Sequence, residues 1–442
     1  MVVIQADFTK ETGKIKPMHA VNNGPVGDET DKTGSFEAYQ AAKIPFARNH
    51  DAAFYASYGG EHIVDIQAIF PDFSKDADDE NSYDFTLTDL YLQNIMKAGT
   101  EVFYRLGSKI EHKPKKYGTR MPTDFAKWAK VAEHIIRHYN EGWANGFAFN
   151  IKYWEIWNEP DLHSDDTPPE KKSTWGGTKQ DFFNFYDVVA THLKKQFPHL
   201  KIGGPALAYN GDWAKEFIEQ LKAPLDFFSW HIYTCNVADV RWKADFVRKL
   251  LDDNGYTETE SICNEWNYVT GWSDEQYIQG VKTIKSIKGA SYTAAAMLDS
   301  QKGSVDMLMY YDARPTGWNG MFNTDLPCEK LKGYYPFLMF SKLYEMDTEI
   351  ETSSNDADVY VCGAKKGAHI ALMIAHYNNT EGKEKQVEIS IENWKNADKS
   401  LCVYMLDKDK DMQKIQTLSA DAFSEKVQIK MPAYSVCLIV SE

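Results

Sequence analysis

Two kinds of hydrophobic pattern divide the chain near residue 345. Before that point, short apolar runs alternate with longer stretches in which apolar residues recur at helical spacing. Phe125, Trp128, Val131 and Ile135 recur every three to four residues and therefore predict one face of a helix. After residue 345, strand-like runs follow one another without a helical pattern between them. The first pattern predicts parallel β/α units, and the second predicts antiparallel β-structure.

The number of strand-like runs before residue 345 decides the architecture. Eight such runs lie at residues 16–23, 45–50, 101–106, 151–159, 201–205, 227–231, 261–267 and 305–311. Helical patterns follow them at residues 35–43, 88–98, 122–141, 179–196, 213–221, 240–252, 274–301 and 333–344. Eight alternating units predict a (β/α)₈ TIM barrel of the α/β class. A doubly wound sheet is the alternative, but the chain has no glycine fingerprint for a phosphate or a dinucleotide.

The last part of the chain predicts an accessory β-domain. Its alternating runs lie at residues 359–362, 369–375, 386–391, 401–406 and 436–440, and turn residues such as Asn378 and Asn379 separate them. This spacing is typical of a β-sandwich. We therefore expect a catalytic barrel at residues 15–345 and a β-sandwich at residues 346–442, to which residues 1–14 add a strand. No low-complexity linker joins the two, which indicates that they pack rigidly.

Composition and charge exclude several classes of partner. Hydrophobic residues make up 43% of the chain and charged residues 26%, as in ordinary soluble globular proteins. The net charge is 49 minus 64, or −15, and such a surface repels nucleic-acid phosphates. No apolar run reaches the length of a membrane span, so no membrane partner is expected. Aromatic residues reach 14%, which fits either a large core or a site that stacks on sugar rings.

The cysteines and the first residues bear on the cellular compartment. The six cysteines show no C-x-x-C pairing, and several lie in apolar strand contexts, which favours free thiols in a reducing compartment. We expect neither a metal nor a cofactor. The opening segment has no basic start and no long apolar core, so a cytoplasmic location is expected. A sequence that begins after a removed signal peptide would look the same, and that protein would be secreted or periplasmic.

Two glutamates are the candidates for chemistry. Glu159 lies at the end of predicted strand four, where Pro160 cannot continue the strand. Glu265 lies 106 positions later, at the end of predicted strand seven, beside Trp266 and Asn267. Barrel enzymes carry their reacting groups at the carboxyl ends of the strands. Two carboxylates that face one cavity are what glycoside hydrolysis requires, so the sequence predicts a retaining glycosidase.

The two carboxyl groups need different pKa values to act as an acid and a nucleophile. Glu159 is the predicted acid, because Trp154 and Trp157 bring apolar bulk to its strand. Glu265 is the predicted nucleophile, provided that a cation such as Arg48 lies beside it and keeps it ionised. Arg48 could alternatively serve only as an ion-pair partner inside the barrel. Retention further requires that the two carboxyl groups lie about 5–5.5 Å apart.

These motifs resemble the 4/7 retaining superfamily of glycoside hydrolase barrels. The closer resemblance is to family 39, which contains β-xylosidases and α-L-iduronidases, and it covers most of the chain. It rests on four segments in order: residues 17–23, 46–50, 157–161 and 231–233. The nucleophile segment, residues 263–267, departs from the Thr-Glu-Phe and Ser-Glu-Trp forms that are typical of the family.

The resemblance implies roles for further residues. Glu159 becomes the acid/base and Glu265 the nucleophile. Asn158 is expected to contact the sugar 2-hydroxyl, and the first subsite is expected to be lined by His231, Tyr233 and His50. Apart from the resemblance, Trp318 follows predicted strand eight and is either a sugar platform or a packed loop tryptophan.

The sugar itself is left open by these residues. An exo-acting enzyme on an oligosaccharide or glycoside, with β-xylosidase activity first, is the leading interpretation. A β-galactosidase, an α-L-arabinosidase or an iduronidase-like enzyme is the alternative on the same site, and the last would need Lys109, Arg120 or Arg314 to receive a carboxylate. A carbohydrate-binding protein without catalysis is a third hypothesis, disfavoured because it has no use for an acid and a nucleophile.

Three expectations concern the surroundings of the site. Glu155 lies deeper in the barrel than Glu159 and is predicted to ion-pair with Arg105. Because adjacent side chains on a strand point in opposite directions, Asn158 and Glu159 can share one site only if the backbone at residues 157–160 is irregular. The acidic insertion at residues 59–83 is predicted to be a solvated loop, with substrate selection or cation binding as alternatives.

Overall fold

A computed structural model shows the fold and describes residues 1–50, 62–325, 327–394, 400–418 and 426–441. Within these residues, eight strands form a closed parallel barrel and nine form a separate sheet. The predicted (β/α)₈ barrel with an accessory β-sandwich is therefore confirmed. Across the same residues, none of the helices has the length and apolar character that crossing a bilayer requires.

The first strand, β1 (Val2–Lys14), belongs to the accessory sheet, and the barrel strands follow it. They are β2 (Ala20–Asn22), β3 (Phe46–Arg48), β4 (Glu101–Leu106), β5 (Tyr153–Ile156), β6 (Lys201–Leu207), β7 (Phe227–Tyr233), β8 (Glu260–Asn267) and β9 (Met307–Tyr310). The α-helices are α1 (Phe36–Ala41), α2 (Ile66–Ile69), α3 (Thr86–Lys97), α4 (Phe125–Glu141), α5 (Lys179–Gln196), α6 (Gly211–Gln220), α7 (Val237–Asp253), α8 (Asp274–Ile284), α9 (Ile287–Gln301) and α10 (Tyr335–Tyr344). Single-turn 3₁₀ helices lie at Glu80–Ser82, Trp143–Asn145, Pro169–Lys171 and Lys332–Tyr334.

Local sequence signals set the ends of these helices. Helix α5 begins with a capping box, in which Thr178 and Asp181 satisfy each other's backbone N–H groups. Helix α4 ends at Gly142, which takes a left-handed conformation with φ of 75°. The long stretch at residues 274–301 forms two helices, α8 and α9, because Ser286 is extended between them and starts the second.

The interior of the barrel changes from apolar to polar along its strands. Its lower layer is an apolar cluster that includes Phe103, Tyr153 and Phe227. Two residues further along the same strands, the buried side chains are polar: Arg105, Glu155 and Ser229, together with Asn22, Arg48 and Asn264 from neighbouring strands. This spacing is the two-residue period of a strand, so one face of each strand supplies both the core and the floor of the site.

The accessory sheet contains β1 and eight strands from the end of the chain. These are β10 (Thr348–Ser354), β11 (Val359–Lys366), β12 (His369–His376), β13 (Lys385–Glu392), β14 (Leu401–Leu406), β15 (Gln413–Leu418), β16 (Val427–Met431) and β17 (Ser435–Ser441). Their order is β15-β14-β17-β12-β11-β10-β1-β13-β16, and residues from both ends of this order share one hydrophobic cluster. The sheet thus folds over its own core. Strand β1 lies between β10 and β13, as expected for residues 1–14.

Both faces of this sheet are buried. In β12, Ile370, Leu372 and Ile374 join the core of the sandwich, whereas Met373 and Ala375 join the cluster that continues into the barrel. Helix α9, which is buried along most of its length, packs against β11 and β12 from the barrel side. The alternation of side chains along each strand therefore makes one sheet serve two cores.

Candidate active site

A pocket of about 500 Å³ opens at the carboxyl ends of the barrel strands. Seven of the eight site residues predicted from the sequence line it, namely Glu159, Glu265, Asn158, His231, Tyr233, His50 and Trp318. The eighth, Arg48, is fully buried beneath its floor, where it contacts Asn158 and Glu265. The structure therefore brings all eight together at the end of the barrel where reacting groups are expected.

Glu265 is held on both of its carboxylate oxygens. Arg48 donates from Nη1 to Oε1 at 2.8 Å, and the Tyr233 hydroxyl donates to Oε2 at 2.8 Å. His50 Nε2 lies 3.5 Å from Oε1. Burial raises the pKa of Tyr233 well above its ordinary value, and the charge of Glu265 adds to this, so the hydroxyl stays protonated and donates.

The environment of Glu265 differs from the prediction in one respect. Arg48 lies beside it as expected, yet burial raises the pKa of Glu265 above its ordinary value. The neighbouring Glu159 also raises it, whereas His231, Arg48 and the hydrogen bond from Tyr233 lower it. Burial is the larger effect, so the cation limits the rise in pKa but does not reverse it.

Arg48 connects Glu265 and Asn158 to the floor of the barrel. Its Nε donates to Glu155 at 2.6 Å, and its Nη2 donates to the side-chain oxygen of Asn158 at 2.6 Å. Because that oxygen accepts from Arg48, the amide nitrogen of Asn158 is the group left to face the pocket. Arg48 therefore lies beside Glu265 and also forms an ion pair with Glu155 inside the barrel.

The predicted ion pair between Glu155 and Arg105 is wrong, although the two residues are adjacent in register on β4 and β5. Arg105 instead pairs with Asp65 at 3.1 Å. Glu155 accepts from Arg48, from the Ser229 hydroxyl at 2.5 Å and from the Asn264 amide. Arg105 therefore pairs with Asp65 and Glu155 with Arg48, although Arg105 and Glu155 lie side by side on neighbouring strands.

Glu159 lies directly beside His231 in the pocket. His231 Nδ1 lies 2.8 Å from Oε1 of Glu159 and 3.5 Å from Oε2 of Glu265. One carboxylate oxygen of each glutamate and one ring nitrogen of His231 all lie within 4.8 Å of one another. Burial lowers the pKa of His231 to about 4, so its ring is neutral near neutral pH. A neutral ring can donate to an ionised Glu159 or accept from a protonated one.

The backbone around Glu159 is irregular, as the sequence requires. Strand β5 ends at Ile156, so Glu159 lies three residues beyond it and not at its last position as predicted. Trp157 and Glu159 have φ values of 73° and 47°, in the left-handed region that residues other than glycine rarely adopt. These two reversals let Asn158 and Glu159 line the same pocket, and the expectation of an irregular backbone is confirmed.

A β-bulge in β8 likewise changes the direction in which the Glu265 side chain points. Trp230 pairs with Cys263, but the next residue, His231, pairs with Glu265, so Asn264 is an extra residue in β8. Asn264 and Glu265 can therefore both turn inward, the first to Glu155 and the second to Arg48. No local sequence signal marks this bulge.

Further residues line the pocket that the sequence reasoning did not select. Among them are Tyr209, Lys243, Trp272 and Tyr311, which lie on or beside the loops after the barrel strands. Trp318 packs against Tyr233, Trp272 and Tyr277 with ring centroids 5.3–5.9 Å apart, so it is both packed and exposed to the pocket. The aromatic content of the chain was the available signal, but it does not say which rings reach the site.

The remaining charged candidates lie elsewhere. Arg314 pairs with Asp312 at 2.7 Å, Lys109 lies 3.8 Å from Asp65, and Arg120 lines a different pocket beside Trp157. In the acidic insertion, residues 59–61 lie outside the described residues. Further along it, the carboxylates of Asp72, Asp76 and Asp79 accept hydrogen bonds from backbone N–H groups two residues ahead, which is how such side chains stabilise turns.

Known proteins resemble this chain in sequence and in fold. The sequence model of Glycosyl hydrolases family 39 matches residues 12–244. A β-xylosidase from Geobacillus stearothermophilus is 26% identical over 187 residues, which are 39% of this chain and 35% of that protein. A solved glucosidase from Croceicoccus marinus has a TM-score of 0.80 at 20% identity, with 100% of this chain and 99% of that chain covered. A monomeric β-xylosidase from Caulobacter crescentus CB15 has a TM-score of 0.69 at 17% identity, with coverage of 100% and 99%.

The extent of these matches decides what each one establishes. The aligned part spans about a third of the Geobacillus enzyme, and the two structural likenesses, at 20% and 17% identity, establish the fold. The family match extends over more than half of the 442 residues and includes Arg48, Glu159 and His231, while Glu265 lies beyond it. The family match therefore shows that the chain belongs to glycoside hydrolase family 39, and the second carboxylate lies beyond the matched residues on β8.

Proposed function

We propose that the protein is a glycosidase that acts with retention of anomeric configuration and releases a terminal sugar, a β-xylosyl residue first, from an oligosaccharide or glycoside. The observation that carries the proposal is the short distance between Glu159 and Glu265. One carboxylate oxygen of Glu159 lies within 4.8 Å of one carboxylate oxygen of Glu265. Retaining enzymes hold their carboxyl groups about 5–5.5 Å apart, whereas inverting enzymes need about 6.5–9.5 Å to admit a water. The compact pocket supports action on one terminal sugar.

In the first step, an oxygen of Glu265 attacks the anomeric carbon. The bond from that carbon to the leaving-group oxygen breaks, and the carboxyl proton of Glu159 passes to this oxygen. The products are a glycosyl ester of Glu265, an ionised Glu159 and the released alcohol. Arg48 and Tyr233 hold the attacking carboxylate, one on each oxygen, so that it does not rotate between substrates.

In the second step, Glu159 acts as a base. It takes a proton from a water molecule, whose oxygen attacks the anomeric carbon while the ester bond to Glu265 breaks. Both carboxyl groups return to their starting states, and the two inversions give overall retention. His231 stays beside Glu159 in both steps, and the contact of its Nδ1 with Oε1 at 2.8 Å holds the carboxyl group in place.

The amide nitrogen of Asn158 is the group proposed to donate to the sugar 2-hydroxyl. Its side-chain oxygen is occupied by Arg48, which fixes the orientation of the amide. A hydrogen bond to the 2-hydroxyl strengthens as positive charge develops at the neighbouring anomeric carbon. Asn158 would therefore contribute mainly to the transition state.

A neutral sugar is favoured over a uronate. An iduronidase-like activity needs a cation in the pocket, yet none of Lys109, Arg120 and Arg314 lines it. Lys243 does line it, but its ammonium group donates to the backbone carbonyls of His231 at 2.6 Å and of Ala208 at 3.3 Å. The β-xylosidase identity of the Geobacillus relative supports xylose as the first sugar to test. β-Galactoside and α-L-arabinoside follow as alternatives.

A panel of 4-nitrophenyl glycosides tests the proposal. It contains β-xyloside, β-galactoside, β-glucoside, α-L-arabinofuranoside and α-L-iduronide, and the highest kcat/KM is expected for the β-xyloside. Proton NMR of the first product formed should show the substrate's own anomeric configuration. The opposite anomer would refute retention, and no turnover of any member would favour a binding protein without catalysis.

Azide rescue assigns the two roles. In the Glu265→Ala variant, azide should restore turnover and give a glycosyl azide of inverted configuration, because the anion occupies the space of the nucleophile. In Glu159→Ala, azide should give a glycosyl azide of retained configuration, because it attacks the glycosyl ester. The reverse pattern would exchange the two assignments.

A further inference from the structure

Asp161 connects the turn of the acid/base to the next loop of the barrel. This residue lies two positions after Glu159 and is 3% exposed. Its carboxylate accepts hydrogen bonds from three consecutive backbone N–H groups, those of Ala208 at 2.8 Å, Tyr209 at 3.0 Å and Asn210 at 2.9 Å. Three hydrogen bonds to one buried carboxylate hold the loop between β6 and α6 firmly in place.

The same loop is held from its other side. Lys243, on α7, donates to the carbonyl of Ala208 at 3.3 Å and to that of His231 at 2.6 Å. The backbone N–H of Glu159 donates to the carbonyl of Ala206 at 2.9 Å. The loop is thus tied to the strand that carries His231, and the end of β6 from which the loop starts is tied to the backbone of Glu159.

The side chain that this loop presents is Tyr209. Tyr209 is 66% exposed and lines the pocket together with Glu159. In the described part of the chain, no other aromatic ring packs against it. The second exposed aromatic residue of the lining, Trp272, differs in this respect, because its ring contacts Tyr233 and Trp318 near the nucleophile. A rigid loop that displays an unpacked ring beside a site is well suited to stacking.

We infer that Tyr209 is the platform for the ring of the leaving group, and that Asp161 is the positioning residue that holds it. This inference rests on the proposed roles of Glu159 and Glu265. In that mechanism, the leaving-group oxygen receives its proton from Glu159, so the leaving group lies on the side of the pocket where Glu159 is found. Tyr209 lies on that side because its loop is bonded to the turn of Glu159.

Two substrates of one sugar separate this role from the chemical step. β-Xylobiose has a second sugar ring as its leaving group, whereas β-xylosyl fluoride leaves only a fluoride ion with nothing to stack. In Tyr209→Ala, kcat/KM for β-xylobiose should fall about tenfold more than kcat/KM for β-xylosyl fluoride, the upper range for one aromatic contact. Tyr209→Phe should recover most of this difference, because the ring and not the hydroxyl forms the platform.

Trp242→Ala is the matched control. Trp242 is 67% exposed on α7, where it stacks on Phe246 with ring centroids 6.0 Å apart, and it is outside the lining of the pocket. Its removal should leave kcat/KM for both substrates within twofold of the parent enzyme. If Tyr209→Ala lost activity equally on both substrates, or no more than Trp242→Ala, the platform role would be overturned.

Asp161→Asn tests the positioning role. The amide removes the negative charge and one acceptor oxygen, so the loop should loosen and the selective loss on β-xylobiose should appear with Tyr209 unchanged in sequence. The double variant with Tyr209→Ala should then lose little more selectivity than Tyr209→Ala alone. Additive losses would overturn the coupling. If the parent enzyme hydrolyses both substrates but Tyr209→Ala shows no selective loss on β-xylobiose, the inference is refuted while the proposed function stands. A parent enzyme that turns over neither substrate refutes the proposed function and the inference with it.

Discussion

The hydroxyl of Tyr233 provides a direct test of how Glu265, the proposed nucleophile, is kept ionised. It donates to Oε2 of Glu265 at 2.8 Å, opposite the bond from Arg48 to Oε1. The change Tyr233→Phe removes this one hydrogen bond and keeps the ring, which packs 5.6 Å from Trp318 and 5.8 Å from Trp272. The pocket should therefore keep its shape while Glu265 loses a donor.

The size of the effect follows from the chemistry of the bond. A hydrogen bond to a charged group contributes about 1.5–3 kcal/mol, and each 1.36 kcal/mol is about a tenfold change in a proton-binding equilibrium. The bond stabilises the ionised carboxylate and opposes the effect of burial, so its loss raises the pKa of Glu265 further. At pH values where Glu265 is mostly protonated, kcat/KM should fall by roughly 10- to 100-fold.

The pH profile of kcat/KM is the measurement that checks this. The acidic limb, which reports ionisation of the free enzyme, should move to higher pH in Tyr233→Phe, while the plateau changes much less. Tyr277→Phe is the control, because that ring packs on Trp318 but does not contribute to the lining of the pocket. An acidic limb that stays in place, or that moves to lower pH, would refute this account of Glu265.

Three other changes test separate parts of the structure. Asn158→Ala should lower kcat at least as much as it raises KM, with a loss of about 2–4 kcal/mol in transition-state stabilisation, and an unchanged kcat would limit Asn158 to substrate binding. Arg48→Met leaves Glu155 and Glu265 buried without their cation, so urea unfolding should show a loss of about 3–5 kcal/mol, while Lys249→Met at an exposed pair should change little. Removal of the residues after Glu345 should give aggregating protein, since it uncovers the barrel face shared with β12, and a soluble, active fragment would contradict the rigid packing.

Much of the fold could be predicted because its signals are local. Helix α5 was placed at both ends, since the capping box at Thr178 starts it and Pro198 follows its end. The barrel strands were found from apolar runs that are buried on both faces. Strands β10, β15 and β16 lack a clear sequence signal, because β10 is polar and only partly buried, β15 is polar and largely exposed, and β16 alternates over only five residues.

The site was predictable in its residues but not in its contacts. Glu159 and Glu265 could be selected because a strand end and a flanking aromatic residue mark each of them. The contacts between these side chains depend on the stagger of the strands in the closed barrel. Arg105 is the neighbour of Glu155 in register, yet Arg48 reaches across β4 and binds Glu155 instead. The platform residue Tyr209 has no signal in its own loop, since its position depends on Asp161, which is distant in the sequence.

The place of β1 in the accessory sheet has a consequence for synthesis on the ribosome. Its neighbours are β10, which begins at Thr348, and β13, where Val387 pairs with Val2. Translation proceeds at about 5–20 residues per second, so β1 waits on the order of tens of seconds for a partner. During that time β1 remains an unpaired strand with Val2, Ile4 and Phe8 uncovered, and α9 exposes the face that later meets β12. The nascent chain should therefore depend on holding chaperones until the last hundred residues have emerged.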